Sequence, residues 1–297
     1  MIELKSDQLY VQFQTLGGAL SSIKDNDGVE YLWQGDPTYW SGQAPVLFPI
    51  CGSVRNDTVL YDKEDGSQKE GKIPRHGLVR KKEFTLVEQT DNSVTFAIED
   101  DEEMFANYPY HFRLEIMYTV TGKTIRTQYN IYNKESEKNM PFFIGGHPGF
   151  NCPLLDGEVY EDYYLEFEKP ETCTVPKPFP ETGMLDFNDR SSWLENQKEL
   201  DLNYDFFNYD AVTLDNLESR SVSLRSRKHD KGLKLHFKEF PNLIVWSTLN
   251  KGPFIALEPW SGLSTSLEEG DQLEDKKDVK ILKPGRFEQL GFDIEIL

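Results

Sequence analysis

The sequence predicts an all-β protein, a large antiparallel β-sandwich, and three observations carry that prediction. Hydrophobic and polar residues alternate along much of the chain, which is the period of a strand with one buried face. The 16 prolines and 21 glycines interrupt this pattern at short intervals, as the turns of a strand meander require. Helical patterns are few and short. We expect a single domain spanning residues 1–297.

The clearest element is a hairpin near the middle of the chain. Residues 112–120 place alternate side chains on one face, namely Phe112, Leu114, Ile116, Tyr118 and Val120. A Thr-Gly turn follows at 121–122, and residues 123–133 resume the alternation. Two adjacent, half-buried antiparallel strands are therefore expected here.

Other segments also follow strand patterns. Alternation recurs in residues 9–13, 94–98, 233–237 and 292–296, and a further strand is expected at 140–144. Continuous apolar runs at 243–246 and 254–257 predict strands that are buried on both faces.

Segments without a strand pattern complete the secondary structure. Residues 101–107 and 191–197 are candidates for helices of one or two turns. The charged stretch 268–280 is expected to be a solvated loop.

The charge balance excludes several classes of function. Lys and Arg number 32 and Asp and Glu 51, so the net charge is −19, and the sequence pI is near 4.7. Proteins that grip nucleic acid or anionic membranes need basic faces. We therefore expect no nucleic-acid partner and no membrane partner. Aromatic residues make up 13% of the chain, which indicates a substantial core.

The cysteines and the first residues bear on the compartment. Cys51, Cys152 and Cys173 are an odd number at wide spacings, which disfavours a disulfide framework. The first residues, MIELKSD, lack the apolar region of a secretory signal, and no apolar run approaches the ~18 residues of a membrane span. We expect a cytoplasmic protein and leave monomer and homodimer open.

Two of the five histidines lie in loops bounded by glycine and proline, where scaffolds often present reactive groups. His147 stands in Gly-Gly-His-Pro-Gly-Phe-Asn at 145–151, at the exit of the predicted strand 140–144. His76 stands in Pro-Arg-His-Gly-Leu at 74–78, with Arg55 upstream. A structural turn histidine is the alternative interpretation of each. His111, His229 and His236 favour structural or solvated roles.

Glu258 is the most unusual carboxylate, because it ends the apolar run Phe-Ile-Ala-Leu at 254–257. Burial there would raise its pKa, and a carboxylate with a raised pKa suits a general base. An exposed glutamate at a strand end is the alternative. Asp210 follows Phe-Phe-Asn-Tyr and could serve in a turn. Trp260, like Phe142 or Phe150, could stack on a sugar ring or belong to the core.

Several chemistries lack their usual motifs. The sequence has no His-x-x-x-His or Cys-x-x-Cys spacing, no phosphate-binding glycine loop and no Gly-x-Ser-x-Gly elbow. We therefore expect neither a metal nor an organic cofactor. A glycoside hydrolase would use two facing carboxylates, and the sequence suggests one.

The ordered set of candidate residues resembles the aldose 1-epimerase, or galactose mutarotase, family. The set comprises Arg55, His76-Gly77, the His147-x-x-Phe-Asn pattern, Asp210 and Glu258-Pro-Trp260. The resemblance extends over essentially the whole chain. It implies a β-supersandwich with an open sugar groove, and a small-molecule sugar as the partner.

The resemblance also implies roles for these residues. His147 would be the general acid and Glu258 the general base that together open and close the pyranose ring. His76 and Arg55 would bind the sugar and assist at the ring oxygen, and Asp210 would hold sugar hydroxyls. Trp260 would contact the sugar.

The motifs depart from those of the better-known galactose mutarotases. Arg55 precedes Asn56 instead of following an asparagine, a single glycine follows His76, and His147 stands between Gly146 and Pro148. These forms are similar to a divergent branch that includes LacX-like proteins and hexose-6-phosphate mutarotases. Three hypotheses follow: a mutarotase for a free aldose such as galactose or glucose, a mutarotase for a phosphorylated hexose that would use Arg75 or Arg80, and a non-catalytic sugar-binding protein.

Overall fold

The chain folds almost entirely into antiparallel strands. The structure is a computed structural model that describes residues 2–62 and 66–297. In these two ranges it has the following strands: β1 Ile2–Lys5, β2 Leu9–Gln14, β3 Ala19–Asp25, β4 Val46–Leu47, β5 Thr58–Asp62, β6 Gln68–Lys72, β7 Thr85–Gln89, β8 Ser93–Glu99, β9 Phe112–Thr121, β10 Thr124–Asn133, β11 Met140–Phe142, β12 Gly145–Gly146, β13 Gly149–Asn151, β14 Tyr163–Phe179, β15 Met184–Asp201, β16 Val212–Leu214, β17 Ser221–Ser226, β18 Gly232–His236, β19 Asn242–Trp246, β20 Phe254–Trp260, β21 Lys280–Leu282 and β22 Phe287–Ile296.

Helical structure is confined to short segments in the described part of the chain. The α-helix α1 spans Glu102–Asn107, and 3₁₀ turns span Arg55–Asp57, Tyr160–Asp162, Tyr204–Phe207 and Leu273–Asp275.

Two large sheets organise the molecule. The first has nine strands in the order β15-β14-β17-β18-β22-β10-β9-β8-β7. The second has six, with the order β16-β19-β20-β12-β4 and β13 paired to β20 beside β12. Smaller sheets are formed by β1-β2-β3, by β5-β6 and by β11-β21.

The two large sheets face each other across the core. Gly146 in β12 lies so close to Phe292 in β22 that an added Cβ would sit 2.7 Å from the Phe292 ring. The Tyr129 hydroxyl in β10 donates to the carbonyl of Gly145 at 3.4 Å. The hydrophobic cluster includes residues from Leu4 to Ile296. The all-β sandwich prediction is confirmed.

The strands predicted from alternation are confirmed. The hairpin at 112–133 forms β9 and β10, with strictly alternating burial along both strands. The turn falls at 122–123, one residue later than predicted. The segments at 9–13, 94–98, 233–237 and 292–296 lie in β2, β8, β18 and β22, apart from residue 237, which follows β18. The apolar runs form β19 and β20, and every residue of β20 is buried.

Of the two predicted helices, one is confirmed and one is wrong. Asp101 caps α1, because its carboxylate accepts a hydrogen bond from the Met104 amide at 2.7 Å. Residues 191–197 instead belong to β15, where Leu194 pairs with Cys173 of β14 and is fully buried. Pairing with β14 overrides the weak local helical preference.

Two further predictions need correction in detail. The strand predicted at 140–144 is shorter in the structure, where β11 ends at Phe142. The chain then joins the six-stranded sheet at Gly145, in β12. The loop predicted at 268–280 is only partly exposed: Leu273 and Lys276 are buried, and Lys276 donates to Thr265 Oγ1 and to the Gly270 carbonyl. This lysine ties the loop to the segment that follows β20.

All three cysteines are buried and unpaired. Among the described residues, α1 and the 3₁₀ turns are far too short to cross a membrane.

Candidate active site

A cavity of about 230 Å³ opens beside β20 of the six-stranded sheet. Its lining includes five of the six predicted site residues, which are His76, His147, Asp210, Glu258 and Trp260. These residues come from four distant parts of the chain. The tip of the β14–β15 hairpin also contributes, through Pro178, Gly183, Met184 and Leu185.

The register of the sheet brings His147 to Glu258. Gly145 in β12 pairs with Trp260, and Gly149 in β13 pairs with Ala256. The same antiparallel register between these pairs places His147 opposite Glu258. Their Nε2 and Oε2 atoms lie 3.3 Å apart. Residues 147 and 148 separate β12 from β13. His147 therefore faces the Glu258 carboxylate of the neighbouring strand β20.

Burial controls the protonation of this pair. Glu258 is 1% exposed and His147 is 6% exposed. Burial raises the pKa of Glu258 well above its ordinary value, and the nearby Asp210 carboxylate adds to that shift. Burial also lowers the pKa of His147 to about 3, with Arg80 and Arg75 acting in the same direction. A proton shared by the pair therefore rests more readily on Glu258 than on His147.

Three buried polar atoms at the cavity make no hydrogen bond of ordinary geometry within the described part of the chain. They are Nδ1 of His147, Oε2 of Glu258 and Nε1 of Trp260. Glu258 Oε2 nevertheless lies 3.3 Å from His147 Nε2, and the Trp260 indole N–H beside Glu258 opposes the rise in its pKa. An unsatisfied buried polar atom costs free energy. A ligand rich in hydroxyl groups, which both donate and accept, could satisfy all three.

A strained loop holds His76. The Gly52 amide donates to His76 Nδ1 at 3.3 Å, which leaves the ring proton on Nε2. His76 itself has φ +70°, and Gly77 has φ +86°. A Cβ on Gly77 would lie 2.0 Å from the Phe48 carbonyl oxygen, so only glycine fits there. Burial, together with His147 nearby, lowers the pKa of His76 well below its ordinary value.

Aromatic rings surround the two histidines. The His76 ring meets His147 edge-to-face at 5.3 Å between centroids and Trp260 at 5.5 Å. Trp40 stacks on His147 at 4.8 Å, and Trp246 meets it edge-on at 5.5 Å. The sequence analysis did not identify Trp40 or Trp246, because a lone tryptophan in a loop or strand carries no periodic signal.

Asp210 lies at the rim of the cavity in an unusual backbone conformation, with φ +113°. Its Oδ1 accepts from the amide of Ala211 at 2.9 Å, and its Oδ2 lies 3.3 Å from Nη2 of Arg75. Arg75 is further held by Ser53, whose Oγ accepts from its Nε at 2.7 Å. The pair presents a carboxylate and a guanidinium side by side at the cavity.

Arg55 does not line the cavity, in contrast to the role implied by the family resemblance. Its guanidinium pairs with Asp271 at 2.7 Å and donates to the carbonyls of Ser266, Leu267 and Glu269. It therefore organises the 266–271 loop. Arg75, which directly precedes His76, occupies the cavity instead.

The remaining candidates lie elsewhere. Phe142 and Phe150 are fully buried in the core, so neither is available to a sugar. The other histidines contact carboxylates outside the cavity: His111 contacts Asp100, His229 contacts Glu158, and His236 contacts Glu295.

Known proteins are similar to this chain over nearly its whole length. The family model described as aldose 1-epimerase matches residues 1–279. The chain is 62% identical over 296 residues to the chromosomal protein LacX of Lactococcus lactis subsp. lactis, covering 100% of this chain and 99% of that protein.

Solved structures are similar over their whole length as well. A galactose mutarotase related enzyme from Lactobacillus acidophilus has a TM-score of 0.90 at 29% identity, over 99% of this chain and 96% of that one. A galactose mutarotase-like protein from Lactobacillus casei also has a TM-score of 0.90, at 28% identity over 100% of both chains.

Proposed function

Because the chain belongs to the aldose 1-epimerase family, we propose that it is a mutarotase, an isomerase that interconverts the α and β anomers of a hexose. The observation that carries the proposal is the buried pair of His147 and Glu258. Its atoms lie 3.3 Å apart and share a cavity with unpartnered polar groups. An acid and a base at one place are what ring opening needs.

The reaction transfers protons and breaks and re-forms one C–O bond, so it needs no co-substrate. A base removes the proton of the anomeric hydroxyl while an acid protonates the ring oxygen, and the C1–O5 bond breaks to give an aldehyde. Rotation about C1–C2 presents the other face, and the ring closes with the acid and base roles reversed. In our proposal Glu258 is the base at the anomeric hydroxyl and His147 is the acid at the ring oxygen.

The bound sugar would prepare the pair for these roles. In the free cavity the shared proton rests on Glu258, because burial raises its pKa and lowers that of His147. A sugar hydroxyl that donates to the carboxylate favours its charged form, and a ring oxygen that accepts from the imidazole favours the protonated ring. Substrate binding thus favours transfer of the proton from Glu258 to His147.

The surrounding residues would bind and orient the sugar. His76 carries its proton on Nε2, since Nδ1 accepts from Gly52, so it can donate to a sugar oxygen beside His147. Asp210 and Arg75 offer an acceptor and a donor to the sugar hydroxyls. Trp260 supplies an indole N–H and an apolar face.

Anomer exchange measured by one-dimensional NMR tests the proposal. With wild-type protein, exchange of glucose or galactose should exceed the uncatalysed rate. Glu258→Gln keeps the shape of the side chain but cannot act as the base, so exchange should fall to or near the uncatalysed rate. His147→Asn should slow exchange by roughly 10²–10⁴, the usual contribution of a positioned acid.

The matched control is His236→Asn, which removes an imidazole that contacts Glu295 outside the cavity. It should keep the wild-type rate. Wild-type rates in both Glu258→Gln and His147→Asn would remove the pair from the mechanism. Sugar binding without any exchange in wild-type protein would favour a non-catalytic sugar-binding protein instead.

A further inference from the structure

The indole ring of Trp40 lies against the imidazole of His147. The two rings are stacked, with 4.8 Å between their centroids and 28° between their planes. Trp40 belongs to the loop between β3 and β4, and it lines the cavity that holds His147 and Glu258. The face of an indole carries the negative part of the ring quadrupole, so it attracts a cation placed over it. The stack therefore acts differently on the neutral and on the protonated histidine.

The surrounding residues fix the Trp40 ring in this place. Phe254 stacks on it at 5.4 Å between centroids, and Trp33 stacks on Phe254 at 4.9 Å. The indole N–H of Trp33 donates to the Trp40 carbonyl at 2.8 Å. A Cβ on Gly42 would lie 2.5 Å from the Trp40 indole, and one on Gly149 would lie 2.8 Å from it. Because glycine at both positions just leaves room for the ring, its position is closely defined.

The charges near His147 make its protonation costly. Burial lowers its pKa to about 3, and Arg75 and Arg80 act in the same direction. Glu258, whose Oε2 lies 3.3 Å from His147 Nε2, offsets this cost only while it is charged. His76 also faces the ring, and burial lowers its pKa well below the ordinary value. The imidazolium therefore gains most from a group that attracts a cation and does not itself titrate, which is what an indole face supplies.

We infer that Trp40 is a positioning residue of the proposed reaction, whose indole face stabilises the protonated form of His147 while the sugar ring opens. This inference rests on the proposed function. The proton that His147 receives from Glu258 passes on to the ring oxygen, so the imidazolium exists only during the reaction. Stabilisation confined to that stage raises kcat and leaves KM nearly unchanged. A cation–π contact shielded from water corresponds to roughly 10- to 30-fold in rate.

A platform for the sugar is the alternative role of Trp40, and the geometry disfavours it. The indole already stacks on His147 and on Phe254, which leaves little of its face for a sugar ring. A platform binds the substrate and the transition state alike, so its loss raises KM and leaves kcat unchanged. The two roles therefore predict opposite effects on kcat and KM.

Two substitutions of Trp40, followed by anomer exchange, test the inference. Trp40→Phe keeps an aromatic face against His147, and Trp40→Met fills a similar space without one. Trp40→Met should lower kcat for glucose or galactose by roughly 10- to 30-fold. Its KM should stay within about threefold of wild type. Trp40→Phe should lose less, because a phenyl ring presents a weaker face of the same sign.

The matched control is Trp193→Met, which removes an indole that packs against Phe206 and does not line the cavity. It should keep the wild-type kcat and KM. Thermal unfolding of each variant shows whether the fold is retained.

Fluorinated tryptophans placed at position 40 separate the charge of the indole face from its shape. Successive fluorine atoms withdraw electrons from the ring and weaken its attraction for a cation, with little change in size. The logarithm of kcat should fall steadily from the singly to the fourfold fluorinated ring, while KM stays nearly constant. This series also decides the question if Trp40→Met does not fold.

Failure of the inference can be told from failure of the proposed function. Equal losses of kcat in Trp40→Phe and Trp40→Met, or a kcat that does not respond to fluorination, would overturn the inference and leave the mutarotase proposal intact. A raised KM with unchanged kcat in Trp40→Met would also overturn it, and would make Trp40 a platform for the sugar. Absence of exchange in wild-type protein would overturn the proposed function and this inference together.

Discussion

Glu258 is a buried carboxyl group whose burial lowers the stability of the fold. It is a carboxyl group in a strand whose seven residues are all buried. Its burial raises its pKa well above the ordinary value of 4.5. Groups of this kind concentrate at functional sites, where selection retains a local cost in stability.

The stability cost of burying Glu258 depends on pH. Above pH 4.5 the unfolded chain releases the Glu258 proton while the folded chain keeps it, so the unfolded state gains stability as pH rises. The free energy of unfolding should therefore fall by up to about 1.4 kcal/mol per pH unit from this group, until the folded carboxyl itself ionises. His147 acts in the opposite sense, since its lowered pKa weakens the fold as pH falls below 6.5.

We predict that Glu258→Gln removes the loss of stability that the buried carboxyl group causes as pH rises. The variant should melt no lower than wild type at pH 5, and its advantage should grow as pH rises from 5 until the folded carboxyl of Glu258 ionises. Thermal unfolding followed by circular dichroism across this range measures the difference. Glu137→Gln, at an exposed loop position, should follow the wild-type curve. A constant difference between Glu258→Gln and wild type at all pH values would contradict this account.

Two short loops bring His147 and His76 to strand β20, which carries Glu258. The gap between β12 and β13 leaves His147 facing β20, and the 74–78 loop brings His76 against it. Both loops depend on close backbone approach. Gly77 packs against the Phe48 carbonyl, and Gly146 packs against Phe292 of the opposite sheet.

Gly77→Ala should be strongly destabilising. A Cβ there would lie 2.0 Å from a backbone oxygen, at a φ of +86° that disfavours every residue with a side chain. Gly122→Ala is the matched control, because it has φ +55° but open space around the added Cβ. The control should lose about 1–2 kcal/mol from the left-handed conformation alone.

Gly77→Ala should lose at least about 2 kcal/mol more, because backbone must move to relieve the contact. Urea unfolding of both variants gives the comparison. Since His76 adjoins Gly77, the variant should also exchange anomers more slowly than Gly122→Ala. Equal losses of stability in the two variants would show that the 74–78 loop adapts without strain.

At the scale of the whole molecule, charge sets what the surface can bind. The net charge of −19 repels polyanions over distances of the order of the Debye length, about 8 Å in physiological salt. Arg80 is a local exception inside the cavity, too confined to act as a basic face.

We predict that the protein binds neither duplex DNA nor anionic lipid vesicles at physiological salt. Fluorescence anisotropy with a labelled duplex and co-sedimentation with phosphatidylserine vesicles measure this directly. Binding to DNA that weakens steeply with added salt would indicate a basic surface that the overall charge conceals.

Local patterns along the chain predicted the fold class and five of the residues that line the candidate cavity. Period-two patterning identified β9 and β10, because a half-buried strand must alternate along the chain. Glu258 was recognisable because a carboxyl group at the end of an apolar run conflicts with its surroundings, and His147 because glycine and proline mark a loop. These signals are local and depend on neighbouring residues alone.

Tertiary structure decided the rest, because the remaining information lies in distant pairings. Residues 191–197 became a strand only by pairing with β14. Arg55 pairs with Asp271, 216 residues away, and Arg75 lines the cavity in its place. Trp40 reached His147 from a loop more than a hundred residues earlier. The opposition of His147 and Glu258 depends on the register of β12 and β13 against β20, which neighbouring residues alone do not specify.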